Sequence, residues 1–394
     1  MVNTGSLFSQ ILSIIRRDIF GGIVRDLRAE KGAKGFTCWD QLVAMLFCQL
    51  AQAKSIREIQ GGLQSCEGKL RHLGLSEAPK RSTLSYANKH RPWQVYERLF
   101  YSVLEQVQGF APAKSFRFKN KLLSLDATVV ELCAEMFDWA RYRQSKGALK
   151  IHLLLDHDGY LPVFACISEG REHELRVARS LDLPRGSIVV MDRAYVDYQL
   201  FKRWTGEGVY FVTREKSNSA AIVAERRPVP KAARGRILRD ELVVLQAFEA
   251  GAKARQTIRR IGVWIEDKQQ EMVLVTNNLH LAAGTIAAIY KERWQIELFF
   301  KALKQNLKVK TFVGTSSNAV HIQIWTALIA MLLIKLLQFR SSMAWALSNL
   351  VALLRWNLFT YRDLWQWINR PFDTPPDPGG SLQMLFNLDS SAPI

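Results

Sequence analysis

The amino-acid sequence predicts an α/β protein: a mixed-sheet core with a β-rich insertion and a basic, all-helical N-terminal domain. Three observations predict it. Apolar residues recur at three- and four-residue spacing up to about Ala113, alternate at strand spacing from Lys119, and return to helical spacing after about residue 283. A Pro- and Arg-rich stretch, "AERRPVPKAARGRILRDE", interrupts the strand-forming part. Charge is uneven: residues 1–120 carry 18 Lys+Arg against 9 Asp+Glu, half of the excess in a chain of 394 residues whose formal net charge is +18.

That charge favours a polyanionic partner, because neutralising phosphates releases counterions. An anionic membrane would reward the same charge, but the most apolar run, Ile324 to Ile334, is about half the roughly 20 residues a spanning helix needs, and Lys335 closes it. It reads as a buried core helix. The N-terminus has no basic region before its apolar part and no small-residue cleavage site, so no secretory signal is expected. Five cysteines (Cys38, Cys48, Cys66, Cys133, Cys166) are widely spaced with no C-x-x-C pair, which argues against a disulfide framework or structural zinc and fits a reducing cytoplasm.

In order along the chain, helices are expected at 39–53, 55–63, 82–90 and 92–107, with Ser or Thr caps and Gly stops. The second and third resemble a helix-turn-helix that offers Arg81, Ser82, Thr83, Ser85, Asn88 and Lys89 to phosphates or base edges; the long connection between them leaves a plain helical bundle open. "NKLLSLDATVVEL" (120–132) alternates as a strand, with Ser124, Asp126 and Thr128 on one face. "LKIHLLL" and "YLPVFACIS" flank the turn Asp156-His157-Asp158-Gly159 as a hairpin. A helix (172–181), a buried strand ending in Asp192, a helix (196–204) and a strand (208–216) follow. Three adjacent strands, then helix, strand, helix and strand, is the order of a ribonuclease-H-like mixed sheet. "TIRRIGVWIED" and "EMVLVTNN" read as strands of the insertion, and the chain closes with helices and a Pro/Gly-rich tail.

The expected domains are therefore 1–115, helical and basic; 116–216 with 284–345, the core; 217–283, the insertion; and 346–394, helical region and tail.

"YKERWQIELFFKALKQNLK" (290–308) carries the chemistry. On one helix at about 100° per residue, Tyr290, Arg293, Glu297, Lys301, Lys304 and Lys308 fall within an arc of about 80°, while Ile296, Phe299, Phe300, Leu303 and Leu307 fill a separate one. Pairing of Glu297 with Lys301 accounts for the charges without any function. Asp126 reads equally as a hydrogen-bonded strand residue, and Asp192 as a helix cap. In the strand order above, however, the first strand is central, the fourth lies beside it and a late helix packs on the sheet, so the three carboxylates converge. Convergent carboxylates need a counter-cation. Hard oxygen ligands select Mg²⁺ or Mn²⁺, and two such ions support in-line phosphoryl transfer without a His, Ser or Cys nucleophile. No phosphate-binding G-x-x-x-x-G-K-[ST] occurs, so ATP-driven chemistry is not indicated.

Tyr290, Arg293, Glu297 and Lys304 stand at Y-x2-R-x3-E-x6-K, which resembles the signature of the DDE transposases of the insertion-sequence-4 family of bacterial mobile elements. "LSLDATVV" and "VVMDRAYVDY" are similar to that family's first two catalytic strands, and 105 positions separate Asp192 from Glu297, room for the family's β insertion. The resemblance implies that Asp126, Asp192 and Glu297 are catalytic and ligate two Mg²⁺ (or Mn²⁺) ions, that Tyr290, Arg293 and Lys304 grip backbone phosphates, and that the basic helical domain, 1–115, is DNA-end-binding. Arg193 and Lys301 are further phosphate contacts or merely solvated cations. Trp264 is the candidate for stacking a flipped base, with a core tryptophan the simpler reading. The expected function is a DNA transposase, an endonuclease at element ends that joins them to target DNA. Its expected partners are double-stranded terminal inverted repeats and target DNA, engaged by a homodimer in the bacterial cytoplasm, associated with the nucleoid, with no membrane. A nuclease without strand transfer, or a non-catalytic DNA-binding descendant, is the alternative.

Overall fold

A computed structural model describes residues 5–66, 68–112, 118–133, 139, 141–143, 146–170, 174–216, 221–233, 235–249 and 252–373. The Pro/Gly-rich tail from 374 onward lies outside the described residues, as does the side chain of Cys133.

Six helices come first: α1 (Leu7–Ser13), α2 (Arg17–Asp26), α3 (Cys38–Leu50), α4 (Ile56–Gln64), α5 (Arg81–His90) and α6 (Gln94–Gln108). Local chemistry starts them. Thr37 and Asp40 cap α3 reciprocally, each side chain accepting from the other's backbone N–H, and Ser55 caps α4. Twelve of the 13 residues of α3 are buried, because it packs on the central apolar helix named below and not at the surface.

The strands are β1 (Leu122–Cys133), β2 (Arg141–Arg143), β3 (Lys146–Asp156), β4 (Leu161–Glu169), β5 (Ile188–Met191), β6 (Tyr210–Arg214), β7 (Ala221–Arg226), β8 (Ile237–Glu249), β9 (Ala252–Ile265) and β10 (Gln270–Thr276). Helices α7 (Glu174–Ser180) and α8 (Tyr198–Glu207) lie before and after β5. All ten strands form one sheet in the order β2-β3-β1-β5-β6-β10-β9-β8-β7, with β4 also paired to β3. β1 is antiparallel to β3 and parallel to β5, and β5 is parallel to β6. This order is consistent with the ribonuclease-H-like arrangement expected from the sequence. The insertion grows directly from the sheet, since β10 pairs antiparallel with β6 and β9, β8 and β7 continue outward. Its pairing partner, not its composition, decides that.

The chain ends in α9 (Ala283–Glu292), α10 (Trp294–Asn306), α11 (Ser317–Arg340), α12 (Leu347–Asn357) and α13 (Leu364–Asn369). The single helix expected over 290–308 is two: α9 ends at Glu292, Arg293 joins it to α10, and α10 stops at Asn306, which leaves Lys308 outside. Helix α11 runs through Lys335 to Arg340, close to the apolar helix expected over 319–339. It is long and apolar enough to cross a membrane, yet 89% of its most apolar stretch is buried within the protein; burial against α3 and α6 accounts for its composition.

On one face of the sheet, Leu123, Leu125, Val189, Met191 and Phe211 pack with α8. The other face divides. Leu122, Ile188, Val190 and Val212 pack under α9, whereas Val130 and Leu132 join the large cluster that unites α1–α6 with α10–α13. Between Leu122 and Val130 on that face stand Ser124, Asp126 and Thr128, because side chains alternate along a strand. A polar gap thus lies in the seam between two apolar clusters.

Burial pushes the Lys335 amine down to about 8; its Nζ donates to Gly159 O at 3.3 Å. The folded value lies below the ordinary 10.5, so the charged amine costs stability below pH 8, and the cost disappears as pH rises towards 10.5. Lys335→Met is expected to raise the Tm at pH 7, with the gain shrinking above pH 9. Scanning calorimetry at both values tests it, and a lower Tm at pH 7 would show that the bond to Gly159 outweighs burial.

Candidate active site

Parallel pairing brings the first two carboxylates together. Ser124 of β1 is level with Val190 of β5, which is level with Val212 of β6. Two residues further on, on the same face, the three strands carry Asp126, Asp192 and Arg214. All three belong to the face covered by α9, so the α9–α10 junction sits over this row. From it Arg293 reaches down, 3.5 Å from Asp126 and 2.5 Å from Glu297.

Each carboxylate has a different environment. Asp126 is largely buried and accepts from Ala127 N at 2.8 Å. Burial pushes its carboxyl up to about 6; Ala127 N–H and Arg293 oppose the shift, and the charges of Asp192 and Glu297 add to it. Burial alone would raise Asp192 too, but bonds from Arg193 N at 2.7 Å and Arg214 at 3.0 Å hold it below the usual carboxylate range. Glu297, one turn into α10, is the most accessible part of the Arg293 pair.

Among the described residues, no three His, Cys, Asp or Glu form a group that could hold a metal ion as they stand; Arg293 and Arg214 supply the positive charge. The donor set still fits a hard divalent cation. Arg293 already draws Asp126 and Glu297 to one point, and burial drives Asp126 towards protonation, with the charges of Asp192 and Glu297 adding to it, a conflict that a divalent charge relieves.

The remaining expected residues are placed as follows. Tyr290 is buried on α9, with Arg293 5.9 Å above its ring. Lys301 is exposed one turn beyond Glu297. Lys304 is turned towards β1, its Nζ donating to Val129 O at 2.8 Å. Arg193 is exposed and lines an open cleft of about 1310 Å³ beside Asp192, together with Arg214, Lys216, Trp264, Arg293 and Trp294. Trp264 is therefore a wall residue and not a core one; its Nε1 donates to Glu266 at 3.0 Å. Arg81 lies apart from the cleft, exposed at the start of α5 with Ser82, Ser85 and Lys89. Asn88 is unavailable to a ligand, because its buried amide accepts from Gln41 at 2.8 Å and contacts Met45. Sequence reading missed Arg214. Its signal was present, since "FVTR" ends a strand at the place where "VVMD" ends the neighbouring one.

The family described as transposase DDE domain matches residues 117–333, and a domain of unknown function matches residues 3–76. A protein of Sinorhizobium fredii described as a transposase is 29% identical over 66% of this chain and 72% of its own length. A protein of Geobacillus stearothermophilus, described as a transposase for an insertion sequence element, is 29% identical over 64% of this chain and 66% of its own. A piggyBac transposase synaptic complex with hairpin DNA aligns over 94% of this chain and 81% of that one, with a TM-score of 0.43 and 10% identity.

The raised carboxyl of Asp126 bears on stability. Its folded value stands above the ordinary 3.8, so its ionisation costs stability above about pH 6 and costs nothing below the unfolded value. Asp126→Asn is expected to raise the Tm by a few °C at pH 7 in EDTA, with no gain below pH 4. An unchanged Tm at pH 7 would mean that Arg293 already neutralises the burial.

Proposed function

The chain belongs to the transposase DDE-domain family, and on that premise we propose that Asp126, Asp192 and Glu297 are its catalytic carboxylates. It is a DNA transposase, which cleaves strands at the ends of a mobile element and joins them to target DNA with metal help. The observation that supports the proposed site is the parallel register of β1 and β5, which sets Asp126 beside Asp192, with Arg293 linking Asp126 to Glu297 across the helix junction.

In this reading the three carboxylates would hold two Mg²⁺ or Mn²⁺ ions. When bound, such ions activate water or a 3′-hydroxyl and offset charge on the leaving oxygen of an in-line phosphoryl transfer. The chain's own residues do the rest. Asp126, fixed in mid-strand, sets the depth at which the scissile phosphate sits, and Asp192 at the strand end meets it from the open side. Arg193 and Lys301, both exposed, bind backbone phosphates on either side of Glu297; Tyr290, Arg293 and Lys304 border the same strand path. Phosphate contacts of this kind position the reacting bond without reading sequence. Trp264 on the cleft wall offers a ring face to an unstacked base.

The helical region, 1–115, is the proposed end-binding part. Its α5 exposes Arg81, Ser82, Ser85 and Lys89 while burying Leu84, Ala87 and Asn88, the one-sidedness a groove-reading helix needs. Two copies acting on paired terminal repeats, in the cytoplasm and on the nucleoid, complete the proposal, with a ribonuclease-H-like core spanning 116–216 and 284–345.

Asp126→Asn, Asp192→Asn and Glu297→Gln are each expected to abolish strand cleavage in Mg²⁺, by more than a hundredfold, on duplexes taken from the DNA flanking the coding sequence. Binding of those duplexes in gel shifts should stay within about twofold, since an amide keeps shape and loses the charge a metal requires. Full cleavage by any one variant removes that residue from the site, and cleavage without strand-joined products would reduce the reading to a nuclease.

A further inference from the structure

Behind the carboxylate row lies a second polar chain that the proposed chemistry does not use. Ser124 Oγ is 2.7 Å from His157 Nε2, and His157 Nδ1 is 3.8 Å from Glu292 Oε2. The order serine, histidine, carboxylate is that of a hydrolytic triad. Yet Ser124 is 0% and His157 4% exposed, so no substrate carbonyl can reach the hydroxyl. The chain must act through what it holds.

What it holds is the α9–α10 junction. Glu292 is the last residue of α9, and its neighbour Arg293 carries both helices in a helical conformation, φ −51° and ψ −31°. Consecutive junction residues therefore face consecutive same-face residues of β1: Glu292 stands 3.8 Å from His157, which hydrogen-bonds Ser124, and Arg293 stands 3.5 Å from Asp126. A second tie comes from the β3–β4 turn. The Tyr160 hydroxyl lies beside Glu292, and burial together with that carboxylate pushes the phenol up; its ring meets the His157 ring edge-on at 5.5 Å. Tyr160 does this from a left-handed backbone, φ +53°, directly after Gly159 at φ +71°. Such a conformation is costly for a tyrosine and persists only where its surroundings over-determine it. Gly159 is required beside it, since a Cβ there would lie 2.7 Å from the Phe339 ring.

We propose that His157, Tyr160 and Glu292 are positioning residues that set the α9–α10 junction so that Arg293 and Glu297 face Asp126. The proposal rests on the active-site reading above. Its physical basis is angular: Glu297 lies five residues beyond Glu292, and a slip of one residue at the junction would rotate it by about 100° away from the β1 row. A glutamate held only by solvent could not prevent that slip. One set between a buried imidazole and a phenol fixed in a left-handed turn can.

The full-length protein and flanking-DNA duplexes suffice for the test. Tyr160→Phe removes one oxygen and Glu292→Gln one charge. Each is expected to slow single-turnover cleavage roughly tenfold at saturating DNA, to raise the Mg²⁺ concentration for half-maximal cleavage, and to leave duplex binding and Tm close to wild type. Because both changes cut the same tie, the double variant should be little slower than either single one. His157→Asn keeps an amide near the Nδ1 position and should retain more activity than His157→Gln, which keeps one near Nε2; a packing role alone would not favour the smaller side chain. Hydrogen exchange of residues 289–298 should quicken in Tyr160→Phe without DNA or metal. Wild-type cleavage, Mg²⁺ dependence and exchange in Tyr160→Phe and Glu292→Gln, with Asp126→Asn inactive, would overturn the positioning role alone. An active Asp126→Asn would instead overturn the site. Tyr160→Phe is so small a change that its result stands even if the other variants fail to fold.

Discussion

A carboxylate buried beside two others cannot remain ionised without a cation, and Asp126 is in that position. It stands in mid-strand between two apolar clusters, with Asp192 on the adjacent strand and Glu297 on the helix above. Much of the surrounding structure supplies that cation. Arg293 sits at the junction of two helices with its guanidinium between Asp126 and Glu297, and Arg214 ends β6 where it meets Asp192.

The sheet converts this local demand into a site. Parallel pairing of β1, β5 and β6 sets Asp126, in mid-strand, level with the ends of β5 and β6, so residues from three separate segments of chain lie side by side on one face. The strands beyond β6 then extend the same sheet, and the wall of the cleft is continuous with its floor through β10. A rigid floor suits phosphoryl transfer, where placing the reacting atoms accounts for much of the rate. The cost appears as an acidic side chain that the fold would rather protonate, the usual tension between stability and activity at such sites.

Helix α11 and the N-terminal helices are the counterweight. They share one apolar cluster with α10 and with the far part of β1, so the helix that carries Glu297 is backed by the largest core in the molecule. The proposed end-binding region is thereby mechanically continuous with the proposed catalytic one. Gln49 illustrates the continuity, donating from α3 to Gln323 O and accepting from Lys308 N just past α10.

The sequence by itself determined most of the element order between residues 39 and 216, the strand nature of 120–132, the place of Asp192 at a strand end and the membership of Glu297 in an amphipathic helix, because each is a local matter of period, cap or turn. It also determined that the apolar run around 324–334 would be core. It could not determine that Arg293 interrupts the helix, that Lys304 turns towards Val129, that Asn88 is closed off by Gln41, or that Trp264 faces a cleft. Nor could it show that Glu292 stands beside His157. Each of these depends on which strand lies beside which and what packs over it. Side chains from residues 124 to 297 meet only when the sheet forms, and periodicity, which repeats every two or 3.6 residues, carries no information at that range.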